Sequence, residues 1–178
     1  MTGILIRPAL PHEIPQIAEL SVAAYAQYRD AVPAPIFTAY VEDLRGLERH
    51  RDEADILVAE RDREIVGTVL FFADAASEGL GLPSQWAGFR KLAVHPGRRG
   101  QGIGLRLVES CLDRARRFGA SAVGIHTSSF MSAACRLYER IGFQRCAQYD
   151  LSATDIMGMD SGVGDVRIIA YRADLALL

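Results

Sequence analysis

The sequence of 178 residues has little of several features that mark particular classes of protein. It has no excess of basic residues, since 20 Lys and Arg face 22 Asp and Glu, and this argues against a surface for nucleic acid or anionic membrane. The three cysteines have neither the paired spacing of a zinc site nor an even-numbered secreted framework. No apolar run approaches the roughly 20 residues of a membrane helix, and Met1–Pro11 lacks the pattern of a signal peptide. We therefore expect a cytoplasmic protein with reduced thiols and with no metal, membrane or nucleic-acid partner.

What the sequence does contain is the balance of a globular domain, with 49% hydrophobic and 24% charged residues. There are no internal repeats and no linker, so residues 1–178 are predicted to form a single domain. The apolar spacing predicts a strand, two helices, a run of strands, and then helix, strand, helix and final strands. This order indicates an α+β fold with a mixed, largely antiparallel central sheet flanked by helices.

The same spacing makes more detailed predictions about the second half of the chain. Asp74–Pro83 and Ser152–Asp165 are rich in small residues, and both are predicted as loops without secondary structure. Phe143–Leu151 is predicted as a strand. Ser128 or Ser129 is the predicted N-cap of the last helix.

The most informative segment is Leu92–Leu105, LAVHPGRRGQGIGL, in which a strand leads through a turn into a helix. Gly100, Gly102 and Gly104 fall at alternate positions where the helix begins, although a glycine inside a helix costs up to about 1 kcal/mol relative to Ala. A helix start carries unpaired N–H groups and a positive dipole end, and a turn without side chains lets an anion approach them. The pattern therefore favours a phosphate site.

Arg98 and Arg99 place positive charge at the same turn and suit the geometry of a phosphate. A Walker loop is excluded because Gly104 is followed by Leu105 rather than by Lys and Ser or Thr. A dinucleotide fingerprint is excluded by the G-x-G-x-G spacing and by the absence of an acid in Ala120–Gly124. A glycine-rich turn that only permits close packing is the alternative to an anion site.

Two motifs resemble those of the GNAT superfamily of N-acetyltransferases. Arg99–Gly104 matches its R/Q-x-x-G-x-G/A motif, and Leu92–Pro96 resembles the strand end in front of that motif. Leu137–Phe143, LYERIGF, resembles the family's L-Y-x-x-x-G-F signature. The likeness covers most of the chain and identifies the superfamily but no single member. It implies a central sheet that is splayed to bind acyl-CoA, because the strands Phe89–Val94 and Ala122–Thr127 diverge from each other.

The resemblance also implies that acetyl-CoA is the cosubstrate and that its pyrophosphate lies on the backbone amides that follow Arg98. The implied binding residues of this turn are Arg98, Arg99, Gly100, Gln101, Gly102, Ile103, Gly104 and Leu105. Leu92 and Val94 would pair through their backbones with the pantetheine arm, as a strand adds to a sheet edge.

The catalytic residue implied by the resemblance is Tyr138, which family members use to meet the departing CoA thiolate. Because a thiol pKa near 8.5 lies below the Tyr pKa near 10, hydrogen bonding to the thiolate is its expected role. Met131 stands where the family often has Asn, so one pantetheine contact is either missing or supplied by Ser128, Ser129 or Ser132.

The general base has no assignment from the sequence. Many relatives carry a Glu or His on the strand before the glycine motif, and the matching positions here are Gly88 and Arg90. A neutral amine is rare at pH 7, so a base could contribute roughly 10²- to 10⁴-fold. The candidates are Glu60, Asp74, His95 and His126.

The expected reaction is direct attack of a small primary amine on acetyl-CoA in a ternary complex. Tyr25, Tyr28, Phe37 and Tyr40 indicate a partly apolar acceptor, with Ser152–Asp165 over its site, unless these aromatics belong to the core. The alternatives are a non-catalytic acyl-CoA-binding regulatory module and a protein or peptide N-acetyltransferase. A homodimer is expected from family analogy alone.

Overall fold

A computed structural model describes residues 3–178 and contains an α+β arrangement of strands and helices. The strands are β1 (Leu5–Pro8), β2 (Asp55–Arg61), β3 (Glu64–Phe72), β4 (Trp86–Val94), β5 (Ala122–Ser128), β6 (Gln144–Arg145), β7 (Leu151–Ser152) and β8 (Arg167–Asp174). The α-helices are α1 (Ile14–Tyr25), α2 (Ala34–Arg45), α3 (Ile103–Arg117), α4 (Ser132–Ile141) and α5 (Ala153–Met157).

The strands form one mixed sheet in the order β1-β2-β3-β4-β5-β8-β6, with β7 also paired to β8. Every neighbouring pair is antiparallel except β4 and β5, which run parallel. The hairpin between β2 and β3 turns through Asp62 and Arg63, whose φ angles of 53° and 66° suit a tight turn that follows the twist of the strands. The predicted mixed, largely antiparallel sheet flanked by helices is confirmed.

Helices cover both faces of the sheet, so successive residues of a strand are buried on opposite sides. Leu57 belongs to the cluster that contains Leu107 of α3, and the next residue, Val58, belongs to the cluster that contains Ile17 of α1. Gly67 on β3 allows α3 to lie close, because a Cβ there would come within 2.9 Å of the Ile103 side chain. The packed layers therefore fix where the N-terminus of α3 meets the sheet.

Two predicted elements differ from the observed ones in where they begin or end. α4 starts at Ser132 with Met131 as its N-cap and without a side-chain cap, so neither predicted serine cap is correct. Phe143–Leu151 is not one strand, because a 3-10 helix at Ala147–Tyr149 separates β6 from β7. The local reason is Asp150, which accepts hydrogen bonds from Arg145 and from the Ala170 backbone N–H and so bends the chain.

Both segments predicted as loops contain helices. Ser152–Asp165 includes α5, whose N-cap is the Ser152 hydroxyl and whose C-cap is Gly158 with φ 61°. Asp74–Pro83 includes a 3-10 helix at Ala75–Glu78, and the Asp74 carboxylate accepts a hydrogen bond from the Ala76 backbone N–H. These helices are too short to show a periodic apolar pattern, so the sequence did not predict them. Capping groups fix where they begin and end. Within residues 3–178, no helix combines the length and apolar character needed to cross a membrane.

Candidate active site

The central cleft exists because two parallel strands separate. β4 and β5 are paired only from Trp86 and Ala122 as far as Gly88 and Gly124. Beyond that point β4 keeps its partner β3 and β5 keeps its partner β8, so the two strands diverge. The predicted splay is confirmed, and it opens a cleft of about 1010 Å³.

A bulge shapes the β4 side of the cleft. Thr68 pairs with Ala93 and Leu70 pairs with Arg90, so the two intervening residues of β4 oppose a single residue of β3. Lys91 lies in this bulge with φ 55° and is only 3% exposed. Its ammonium group lies 3.0 Å from the Asp43 carboxylate of α2, while burial lowers the pKa of Lys91 to about 8.

The strand segment predicted to meet the pantetheine arm lines the cleft at both Leu92 and Val94. Its other edge is occupied by β3, where Val94 pairs with Gly67. The Tyr25 hydroxyl of α1 donates a hydrogen bond of 3.1 Å to the Leu92 carbonyl oxygen. A residue of the helical layer thus holds the bulged part of the strand in place.

The glycine turn leads into the N-terminus of α3. Gly102 is the N-cap with φ 78°, and Gly100 has φ 75°, both in the region that favours glycine. A Cβ at either position would meet no atom within 4 Å, so the space beside the turn is open. The cleft is lined by Arg98, Arg99, Gly100, Gly102, Ile103, Gly104 and Leu105.

The remaining residue of the predicted set, Gln101, does not line the cleft. Its side-chain oxygen accepts a hydrogen bond of 2.6 Å from Arg61 at the end of β2. The two arginines already have partners. Arg98 pairs with Glu64 at 2.8 Å, and Arg99 donates a hydrogen bond of 2.8 Å to the Ala24 carbonyl oxygen near the end of α1.

Tyr138 of α4 faces the cleft from an aromatic cluster. It is 5% exposed, and its ring centroid lies 5.8 Å from that of Phe89 and 5.7 Å from that of Phe143. Burial raises the pKa of Tyr138 well above its usual value, so the phenol stays protonated and able to donate a hydrogen bond. Met131 and Ser128 also line this part of the cleft.

The aromatic residues singled out from the sequence also line the cleft: Tyr25, Tyr28, Phe37 and Tyr40. α5 packs against α2, which carries Phe37 and Tyr40, and its residues Ile156 and Met157 line the cleft. Asp165 supports the covering segment, because one of its oxygens accepts hydrogen bonds from the Ser152 hydroxyl at 2.8 Å and the Thr154 hydroxyl at 3.1 Å.

Three of the four base candidates lie outside the lining of the cleft. Glu60 pairs with Arg7 at 2.6 Å, and Asp74 caps its own 3-10 helix. The ring of His95 accepts a hydrogen bond of 3.2 Å from the Gly97 backbone N–H. Each of these groups therefore has a structural contact away from the cleft.

His126 of β5 is the candidate that does line the cleft. Its Nε2 lies 2.9 Å from the Tyr149 carbonyl oxygen, so Nε2 carries the proton of the neutral ring. Its Nδ1 is buried and has no hydrogen-bond partner among the residues that the structure describes. Burial lowers the pKa of His126, so the ring is neutral at pH 7.

Glu78 was not among the residues predicted from the sequence; it ends the 3-10 helix Ala75–Glu78 and lines the cleft. It is 9% exposed, and neither carboxyl oxygen has a hydrogen-bond partner within residues 3–178. Burial raises the pKa of Glu78 to about 8, against a smaller opposing effect of Arg90. The signal available in the sequence was Gly88, because a glycine inside a strand often marks the close approach of another group. In the structure a Cβ on Gly88 would overlap with Glu78 Oε1.

The comparisons with known proteins agree with this architecture. The chain matches the model of the Acetyltransferase (GNAT) family over residues 16–143 and belongs to that family. It is 37% identical to N-acetyltransferase 8B of Rattus norvegicus over 112 residues, 56% of this chain and 49% of that one. The chain spans about half the length of the curated relatives it matches.

Solved structures share the fold along almost the whole chain. YncA of Salmonella typhimurium, solved with acetyl-CoA, has a TM-score of 0.68 at 20% identity, covering 97% of this chain and 94% of that one. The ribosomal-protein-S18-alanine N-acetyltransferase of Escherichia coli has a TM-score of 0.70 at 15% identity, with the same coverages. At these identities the likeness establishes the fold, and the family predicted from the two motifs is confirmed.

Proposed function

We propose that residues 1–178 form an acetyl-CoA-dependent N-acetyltransferase domain that acetylates a primary amine of a small molecule in a ternary complex. The observation that carries the proposal is the separation of β4 and β5 after Gly88 and Gly124, beside the glycine turn of α3. Family membership supports the activity, and the acetyl-CoA in the YncA structure supports the cosubstrate.

The turn before α3 fits a phosphate group. Gly100 and Gly102 leave the approach to the helix N-terminus open, and the guanidinium groups of Arg98 and Arg99 add positive charge beside it. Leu92 and Val94 line the cleft, and their backbone groups would hydrogen-bond to the pantetheine arm. Acetyl-CoA bound in this way supplies an acetyl thioester next to the acceptor.

Tyr138 is suited to stabilise negative charge where the thiolate leaves. Its hydroxyl stays protonated at all ordinary pH values, because burial raises its pKa. A neutral donor in a cleft of low polarity stabilises a developing anion more than it would in water. Its role is therefore hydrogen-bond donation rather than full proton transfer.

The covered acceptor side favours a small amine over a protein. α5 lies across the cleft and contributes Ile156 and Met157 to its lining. The following segment reaches the start of α2, since a Cβ on Gly164 would lie 3.3 Å from Pro33. Together with the four aromatic residues of the lining, these side chains make a space that suits an amine with an apolar group.

A protein or peptide acceptor is the second candidate, because two structural neighbours are named for ribosomal protein substrates. The deciding experiment measures acetyl-CoA binding by calorimetry, with NADH as the control ligand, and then CoA release over a panel of small amines and peptides with free amino groups. We expect acetyl-CoA binding and turnover of a small amine. Preferential turnover of peptides would support the second candidate, binding without any turnover would indicate a regulatory module, and no binding would overturn the proposal.

A further inference from the structure

The carboxyl group of Glu78 occupies an unusual position in the cleft. It comes from the 3-10 helix between β3 and β4, and it lies over Gly88 so closely that any side chain at that residue would overlap with Oε1. Gly88 is also the last residue of β4 that pairs with β5. The carboxyl group therefore sits where the two strands begin to separate.

No structural role accounts for this group. Both oxygens are buried without a hydrogen-bond partner among the described residues, and Glu78 forms no ion pair within them. A buried carboxyl group without partners lowers stability, whereas the same length of side chain with an apolar end would not. Groups that are retained at such a disadvantage are concentrated in functional sites.

The charged and titratable surroundings of Glu78 are few. Arg90 of β4 is the charged group that acts on it, and Arg90 itself lies 3.6 Å from the Asp43 carboxylate of α2. His126 of β5 lines the same cleft, and β3 presents apolar Phe72 at its end next to the 3-10 helix. Asp74 at the start of that helix is exposed and bonded to its own backbone turn. Glu78 lines the cleft with both oxygens shielded from solvent, so the proton of an acceptor would reach them only when the acceptor packs against this part of the cleft wall.

We infer that Glu78 is the general base that accepts a proton from the acceptor amine, an inference that rests on the proposed function. The ammonium N–H bond breaks and an O–H bond forms on Glu78, which frees the nitrogen lone pair. That pair forms the C–N bond of the amide as the C–S bond breaks, and sulfur leaves with the bonding electrons. The second proton of the nitrogen goes to the thiolate, and Glu78 returns its proton to solvent.

The position of Glu78 explains why no base is found on β4. A carboxyl group entering from the preceding 3-10 helix reaches the surface of Gly88 through space that a side chain on the strand would fill. The position of the Glu78 carboxyl group therefore depends on the absence of a side chain at residue 88. In its ionised form Glu78 also suits a cationic amine, because the carboxylate attracts the ammonium group and then accepts its proton.

Replacement of Glu78 by Gln tests the assignment, because the amide keeps the volume and removes the base. We expect kcat with the best small amine to fall by about 10²-fold or more, while the acetyl-CoA dissociation constant changes little. Glu48→Gln makes the same chemical change at an exposed residue outside the cleft lining and should leave kcat unchanged.

The pH profile distinguishes Glu78 from His126. With Glu78 as base, kcat/KM of the wild type rises with pH through about 8, and Glu78→Gln lacks that step. With His126 as base, the step lies below 6.5 and disappears in His126→Asn instead. Full activity of Glu78→Gln, or a step that survives in it, would overturn the inference while leaving the acetyltransferase proposal intact.

Thermal unfolding provides a readout that does not depend on turnover. Because the folded-state pKa of Glu78 is raised, the folded protein holds a proton that the unfolded chain has already released, and the wild type loses stability as pH rises from about 4.5 to about 8. Glu78→Gln should therefore unfold at a higher temperature than the wild type near pH 8.5, with the difference shrinking towards pH 5. If the unfolding temperatures of the two proteins changed with pH in the same way, the buried position of Glu78 would be contradicted. A wild type without turnover on any amine would overturn both proposals.

Discussion

The ammonium group of Lys91 lies 3.0 Å from the Asp43 carboxylate and 2.9 Å from the Asp43 backbone carbonyl oxygen. One residue of α2 thus holds the bulge of β4 through both its side chain and its main chain. The bulge in turn places Leu92, whose carbonyl oxygen accepts the Tyr25 hydrogen bond. This contact links the helical layer to the strand that is proposed to meet the pantetheine arm.

Asp43→Asn should destabilise the protein in a pH-dependent way. The Lys91 ammonium is buried, so leaving this donor without its carboxylate partner should lower the free energy of unfolding by about 1–3 kcal/mol near pH 7. The pKa of Lys91 is lowered to about 8, so Lys91 is largely neutral in the folded wild type near pH 9.5, and the loss should be smaller there. Urea unfolding at the two pH values measures both effects.

Glu19→Gln is the control for this substitution, because the Glu19–Arg45 pair is exposed and 3.5 Å long. It should change stability by less than about 1 kcal/mol at either pH. An equal loss for both variants, or a loss for Asp43→Asn that does not depend on pH, would contradict the account of the buried pair.

Tyr138→Phe should slow the reaction without weakening cosubstrate binding. Loss of the hydroxyl removes the donor that is proposed to stabilise the departing thiolate, and we expect kcat to fall by about tenfold to a hundredfold. The ring keeps its contacts with Phe89 and Phe143, so the fold should persist. Tyr171→Phe is the control, because its hydroxyl donates to Glu139 rather than lining the cleft. Similar kcat losses in the two variants would indicate a packing effect.

Gly102→Ala should weaken acetyl-CoA binding, as measured by calorimetry. An alanine at φ 78° is strained by about 1–2 kcal/mol, and relief of that strain would reorient the N–H groups at the start of α3. Gly97→Ala in the same turn is the control, since a Cβ there makes only an ordinary contact of 3.5 Å with the His95 ring. Unchanged affinity in Gly102→Ala would argue against a phosphate at this turn.

Asp165→Ala should loosen the segment that covers the acceptor side. It removes the acceptor shared by the Ser152 and Thr154 hydroxyl groups, so α5 loses support at its N-terminus. Steady-state kinetics should then give a higher KM for the amine and an unchanged KM for acetyl-CoA. Asp155→Asn, on the exposed face of α5, is the matched control. A rise in the acetyl-CoA KM instead would place the covering segment over the cosubstrate.

The sequence predicted the order of elements and the glycine turn because each is encoded locally, whereas the cleft was predicted from the resemblance to a family. The apolar repeat from Ile103 onwards continues through one face of α3, which is buried against the sheet. Gly119 follows that helix with φ 73°, as a helix stop requires. The short helices Ala75–Glu78 and α5 escaped prediction, since single turns carry no period and depend on capping contacts.

The sequence alone determined the family and the glycine turn, because a helix start without side chains and a strand-to-helix register are properties of neighbouring residues. Only the tertiary structure brought Glu78 over Gly88, ten residues away, and placed His126 in the cleft while Glu60, Asp74 and His95 stayed outside it. The position of a proton acceptor depends on which loops pack against the point where β4 and β5 separate. That packing is set by contacts between distant segments, which the local pattern does not contain.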